Sequence, residues 1–234
     1  MMTAPITLAG VDLWPTIEGA LWWPAEATLM VADLHLEKGS SLARRGTLLP
    51  PYDSAATLAL LSRLINRLAP RRVVCLGDSF HDAEAVDRLS ADDAGLLHAL
   101  ARGRQWEWIA GNHDGAAGFA GLDGEVATEA SLGPLVFRHR ATVAARTGEV
   151  SGHFHPKARV AVAGRRIACR CFVGDGQRLI LPAFGAYAGG LDVFDPAIST
   201  LLSPGFNVWL LGRVRIHRLS SRRLHRPRCV TVMR

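Results

Sequence analysis

Runs of apolar residues alternate with segments of helical period through the first half of the chain. Residues 27 to 32 (ATLMVA) form a short continuous apolar run ending at Asp33, the pattern of a strand buried on both faces. Leu58, Leu61, Leu64, Ile65 and Leu68 then recur at helical spacing behind Asp53 and Ser54, a start signal, and Pro70 closes the segment. The pair repeats. Residues 72 to 76 (RVVCL) predict a second buried strand running into Gly77-Asp78, and Val86, Leu89, Leu96, Leu97 and Leu100 predict one helix over about 83 to 102. Residues 105 to 110 (QWEWIA) predict a third strand, whose Trp106 and Trp108 share a face and read as core rather than as platforms for stacked bases.

After residue 130 helical period becomes scarce. PLVFRH, TGEVSGH and ARVAVAGRRIACRCFV read as strands, with Ala163-Gly164 as a hairpin turn inside the last. Residues 178 to 193 and 206 to 216 add strand material around a glycine-rich loop. The expectation is an α/β chain whose second sheet packs on the first.

Composition adds limits. The 234 residues are 49% hydrophobic and 21% charged, enough apolar content for one continuous core and far from the signature of disorder. The formal charge of +6 is unevenly spread: from Arg213 onward there are eight arginines and no acid, so the preceding body is slightly acidic. The expected division is therefore a domain over 1–212 and an arginine-rich tail over 213–234. The tail reads either as a solubilising end or as a source of salt-dependent, sequence-independent attraction to a polyanion. Lysine is confined to Lys38 and Lys157, which fits arginine-rich codon usage as well as selection for bidentate phosphate contacts. The four cysteines form no CxxC pair, there is no basic segment followed by an apolar one at the start, and no run of about 18 uncharged apolar residues occurs. A cytoplasmic protein with reduced thiols and no membrane association is expected.

The chemistry lies where the strands end. In chain order the polar clusters are Asp33-Leu34-His35, Gly77-Asp78, Gly111-Asn112-His113-Asp114, His139 and Gly152-His153-Phe154-His155. Ligands of open α/β sheets collect beyond the carboxyl ends of the strands, so these clusters are expected to meet in one crevice. Setting aside His113 and Asp114, they hold two carboxylates, one amide oxygen and four imidazoles. That mixture suits Mn, Fe or Zn rather than Mg or Ca, and seven ligands suit two ions better than one tetrahedral site.

DLH, GD, GNHD, a lone histidine and GHFH, in that order, resemble the calcineurin-like metallophosphoesterase superfamily. More narrowly, VADLHLEKG, LGDSFHD, GNHD, GHFHPKAR and LPAFGAYAGGLDV resemble the bacterial DNA ligase-associated metallophosphoesterases, described as DNA damage response endonucleases. The resemblance spans roughly residues 28 to 195. It implies two mixed β-sheets packed as a sandwich flanked by helices. It assigns Asp33, His35 and His155 to a first metal, Asn112, His139 and His153 to a second, and Asp78 to the bridge. It gives His113 to the leaving group or the transition state, with Asp114 fixing its tautomer, and it implies DNA as substrate and an ATP-dependent ligase and a helicase as partners. Manganese is the first choice of metal, with iron or zinc as alternatives.

Charge supplies the mechanism expected. Two cations about 4 Å apart neutralise an anionic diester, acidify a bridging water and align it for in-line attack on phosphorus. His81 reads either as a residue of the loop entering the next helix or as a substrate contact. Lys38, Arg44 and Arg45 read either as a solvated loop or as a phosphate clamp. The competing functions are a phosphatase or nucleotide phosphodiesterase using the same centre, and a non-catalytic scaffold, against which stands the full set of ligand-type residues.

Overall fold

Leu29 and Val31 point to one side of their strand, Met30 and Ala32 to the other, and all four are fully buried. A strand covered on both faces belongs in the middle layer of a stack. The protein, seen in a computed structural model that describes residues 4–115, 118–143, 147–162 and 164–226, is built around that strand.

Three short strands, β1 (Ile6–Leu8), β2 (Val11–Pro15) and β3 (Leu21–Trp23), meander antiparallel into β4 (Thr28–Val31). Helices α1 (Lys38–Arg44) and α2 (Asp53–Leu68) cross over to β5 (Arg72–Cys75). Helices α3 (Ala85–Arg88) and α4 (Ala91–Ala101) cross to β6 (Gln105–Ile109), and β7 (Glu125–Ala127) closes the edge. β4 to β7 run parallel, the first three joined by helical crossovers, in a seven-stranded mixed sheet of order β1-β2-β3-β4-β5-β6-β7.

The second sheet takes β8 (Glu129–Leu132), β9 (Leu135–Arg138), β10 (Glu149–Ser151), β11 (Lys157–Val162), β12 (Arg165–Gly174) and β13 (Arg178–Ile180). After a short helix α5 (Pro196–Ser199) it adds β14 (Asn207–Leu211) and β15 (Ile216–Ser220). Its order is β15-β14-β12-β13-β10-β9-β8, with β11 paired to β12, and it too is mixed: β9, β10 and β13 are parallel. The fold is therefore the two-sheet α/β sandwich expected.

Three apolar layers hold it together. Leu58, Leu61, Leu64 and Ile65 of α2 pack on Leu29, Val31, Val73, Trp106 and Trp108. Met30, Ala32, Val74 and Leu76 meet Phe137, Val150, Phe172 and Leu179 between the sheets. Cys171, Val173 and Val208 on the far face are covered by Ile198 and Phe206. Each large side chain so buried contributes about 1.5–3 kcal/mol. Cys75, Cys169 and Cys171 are free thiols, and burial pushes the Cys75 and Cys171 thiols up.

Several details differ from the sequence expectation. The single helix expected over 83 to 102 is two, because Ser90 adopts an extended backbone and its Oγ accepts the Asp93 amide at 3.1 Å, capping a new start. Asp53 and Ser54 do not cap α2. The Asp53 carboxylate accepts the Gly39 amide and Ser54 Oγ accepts the Glu37 amide, so they fasten α1 instead. The boundary at 212 falls short: β15 pairs with β14 from Leu211–Ile216 to Asn207–Ser220, and Leu219 packs on the far-face layer. The arginines around Ile216 and Leu219 mask an ordinary strand. Arg228, Cys229 and Arg234 of the expected tail, and Ala163 of the expected hairpin turn, lie outside the described residues. Among the described residues no helix is long and apolar enough to cross a membrane.

Candidate metal centre

The five polar clusters follow the carboxyl ends of β4, β5, β6, β9 and β10, and the backbone fastens neighbouring ends to one another. The Asp33 amide donates to Gly77 O at 3.1 Å, His35 to Asp78 O at 2.9 Å, Leu36 to Ser79 O at 2.9 Å, and His81 returns to Leu36 O at 3.0 Å. The DLH and GDSFH loops thus run side by side as a short irregular ladder. Gly152 N donates to His139 O at 2.9 Å, joining the two clusters of the second sheet.

Side chains complete the link between sheets. The His153 amide donates to both Asp33 oxygens, at 3.1 and 3.0 Å, and the His113 amide donates to Asp78 Oδ1 at 2.9 Å. Each carboxylate is therefore aimed by the backbone of a different histidine-bearing loop. Close approach is needed at two glycines: a Cβ on Gly77 would lie 2.3 Å from His139 Nδ1, and one on Gly111 would lie 2.2 Å from the Asp78 amide.

Two groups of ligand-type side chains result, Asp33 with His35 and His155, and Asp78 with His139 and His153. In the first, His35 Nε2 is 3.2 Å from His155 Nε2, which is 3.5 Å from Asp33 Oδ1. In the second, His139 Nε2 is 3.0 Å from His153 Nδ1, 3.0 Å from Asn112 Oδ1 and 3.5 Å from Asp78 Oδ2. Asp33 Oδ1 also lies 3.8 Å from His139, so the groups adjoin. Asp33, His35, Asp78 and His139 are buried, while Asn112 and His113 are exposed.

His139 Nδ1 lies 3.0 Å from Leu76 O, so its N–H is spent on that carbonyl and Nε2 presents a lone pair. That lone pair faces an amide oxygen, a carboxylate oxygen and another imidazole nitrogen, a convergence of acceptors that a cation satisfies. Desolvation pushes the His35 pKa down to about 2, with the neighbouring His155 and Lys38 adding to it, and desolvation with His139 and Arg140 lowers that of His153. Neutral imidazoles are the metal-binding form. The residues fit a pair of borderline divalent ions.

The backbone here is strained. Asp33, His35, Asp78, His153 and His155 all have left-handed φ values, from 44° to 72°. Such non-glycine residues cost on the order of 1 kcal/mol or more each and persist where surrounding structure dictates them, most often at functional sites.

His113 sits edge-on to His35 and stacks on His81, with ring centroids 5.2 Å apart in both cases. Its Nδ1 donates to the His81 carbonyl at 2.9 Å, which turns Nε2 toward Asp78 Oδ2, 3.9 Å away. This corrects the expectation for Asp114. That fully buried carboxylate accepts the Phe80 and Gly111 amides, both at 2.8 Å, and ties the β5 and β6 loops together, while a backbone carbonyl fixes the His113 tautomer. Burial raises the Asp114 pKa against those two hydrogen bonds.

Of the other residues expected, His81 lies in the site, its pKa pushed down to about 4 by burial and by Lys38. Lys38 opens α1 close enough to depress both His35 and His81. Arg44 is exposed and paired with Glu84, in a hollow it shares with Arg45 beside the site. Residues 182 to 192, which had no role from sequence, buttress the first cluster: Phe184 N donates to Ala32 O, Gly185 N to Asp33 O and Leu191 N to Phe154 O. Sequence reasoning missed Arg140, which lines a cleft of about 530 Å³ with Asn112, His139 and His153. Its one signal was its place beside a ligand-type histidine.

No protein-family model and no curated protein matches the chain. Among solved structures, the nuclease MPE of Pseudomonas putida is 32% identical, covers 92% of this chain and 98% of its own, and superposes with a TM-score of 0.71. The phosphoesterase YfcE of E. coli is 13% identical over 82% of this chain and 98% of its own, with a TM-score of 0.42.

Proposed function

The chain belongs to the metallophosphoesterase superfamily and is a metal-dependent phosphoesterase, and from that premise we propose that it hydrolyses phosphodiester bonds within DNA strands. Two divalent ions, manganese in preference to iron or zinc, would be held by Asp33, His35 and His155 and by Asn112, His139 and His153, with Asp78 between them. When bound they supply positive charge against the diester and make water acidic enough to deprotonate near neutral pH.

The chain's own residues do the rest. The His153 and His113 amides keep the Asp33 and Asp78 oxygens directed inward, and Leu76 O holds His139 in the tautomer that presents Nε2. His113, its Nδ1–H anchored on His81 O, would act as the imidazolium and give its Nε2 proton to the leaving oxygen, ending as the neutral ring, a contribution of about 10²–10⁴ in rate. Lys38 and the His81 ring stand beside His35 of the first cluster and draw the phosphate in. Nuclease action is supported by the 32% identical nuclease, and a repair setting beside a ligase and a helicase rests on the motif resemblance.

The observation that carries the reading is the pair of adjoining three-residue clusters drawn from four strand ends. Metal-stripped protein reloaded with Mn, Fe(II) or Zn should nick covalently closed plasmid, cut circular single-stranded DNA and hydrolyse bis-p-nitrophenyl phosphate. Activity confined to phosphomonoesters or free nucleotides would move the same centre to the phosphatase reading. Absence of metal-dependent hydrolysis on every substrate would end both.

A further inference from the structure

Two arginines line the cleft beside Asn112, His139 and His153, and they differ in state. Arg138 is neutralised by Glu129 and by Glu149, the latter at 3.4 Å. Arg140 is exposed and takes part in no ion pair among the described residues; its guanidinium rests over the Phe154 ring, 5.9 Å from the centroid. The buried Phe154 ring lies 4.8 Å from the His153 ring between centroids, so the guanidinium rests on an apolar side chain beside the second cluster. Thr128 adds a polar wall to the same cleft. Beside the first cluster stands Lys38, close enough to His35 and His81 to depress both. Positive charge thus stands next to each of the two clusters.

A small diester brings one phosphate, whereas a strand brings a row of them. We propose that the cleft is a strand subsite, in which Arg140 takes the phosphate next to the scissile one on the Asn112 and His153 side. The subsite makes a polynucleotide a better substrate than a small diester of the same chemistry. This rests on the nuclease reading above. An arginine in that role is replaceable in charge by lysine, whereas one serving only to pack on Phe154 is not.

The test uses the Mn-loaded full chain and compares wild type, Arg140→Ala and Arg140→Lys on a labelled single-stranded oligonucleotide and on bis-p-nitrophenyl phosphate, over a range of salt. In Arg140→Ala the ratio of kcat/KM for oligonucleotide to that for the small diester should fall about tenfold, chiefly through KM. The slope of log KM against log salt should shrink by about 0.7, the value for one phosphate contact on a single strand. Arg140→Lys should keep most of that slope. Equal losses on both substrates, an unchanged ratio and slope, or a lysine variant matching the alanine variant would each overturn the proposal. A wild type that hydrolyses the small diester but no oligonucleotide brings down the nuclease reading and the subsite together. Oligonucleotide cleavage that ignores Arg140 removes the subsite alone.

Discussion

Two hydrogen bonds to backbone carbonyls set the roles of two histidines. His139 spends Nδ1 on Leu76 O and turns Nε2 to the acceptor cluster, while His113 spends Nδ1 on His81 O and turns Nε2 to the cleft. Replacing His113 by alanine should therefore lower kcat by about 10²–10⁴ with metal content unchanged. Replacing His139 should cost metal, and metal analysis of the purified variants separates the two. Burial of His35 has a pH consequence. Its folded pKa is near 2, below the roughly 6.5 of the unfolded chain, so its neutral form stabilises the fold at neutral pH and that contribution fades as pH falls below about 6.5. His81, near 4 when folded, acts in the same direction between about 6.5 and 4. Chelator-treated protein should lose resistance to urea between pH 7 and pH 5, by up to about 1.4 kcal/mol per unit for His35, and His35→Gln should flatten that slope. The residue types at the site were readable because DLH, GNHD and GHFH are dense in ligand atoms. The true partner of Asp114 was not, since the Phe80 amide it binds is 34 residues away and reaches it only through folding.

At the scale of elements, loops rather than strands carry the chemistry, and their close approach leaves little tolerance. A methyl group on Gly77 would lie 2.3 Å from the His139 ring and would also sit at φ 81°. Gly77→Ala should accordingly displace His139 and release metal from its cluster while far-UV circular dichroism stays native, with activity lost in proportion to the metal. The long elements were legible: β4, β5, β6 and α2 fall where apolar runs and helical spacing put them. The break between α3 and α4 was not, because a serine cap in mid-pattern leaves the apolar spacing almost intact. β1, β3 and β7, three residues each, are too short to show any period.

For the whole molecule, the arginine-rich end illustrates how composition misleads about boundaries. Seen as charge, everything from residue 213 is tail. Seen as structure, β15 covers the edge of β14, and Arg218 lies over Trp209 at 5.7 Å. A chain ending after Gly212 should lose thermal stability, since it strips that edge and uncovers Ile216's place between the sheets. A chain ending after Arg226, which removes Arg228 and Arg234, should show a shallower salt dependence of DNA affinity. Differential scanning calorimetry and DNA titrations on the two truncations check both statements.

The left-handed backbone at five ligand-type residues would work against any grip they provide on an ion. Without ions, only the hydrogen bonds among the strand-end loops offset that conformational cost, and those loops should open more readily than when the site is filled. Occupancy would then govern how quickly those amides trade hydrogen for deuterium, faster in stripped protein than in protein reloaded with metal.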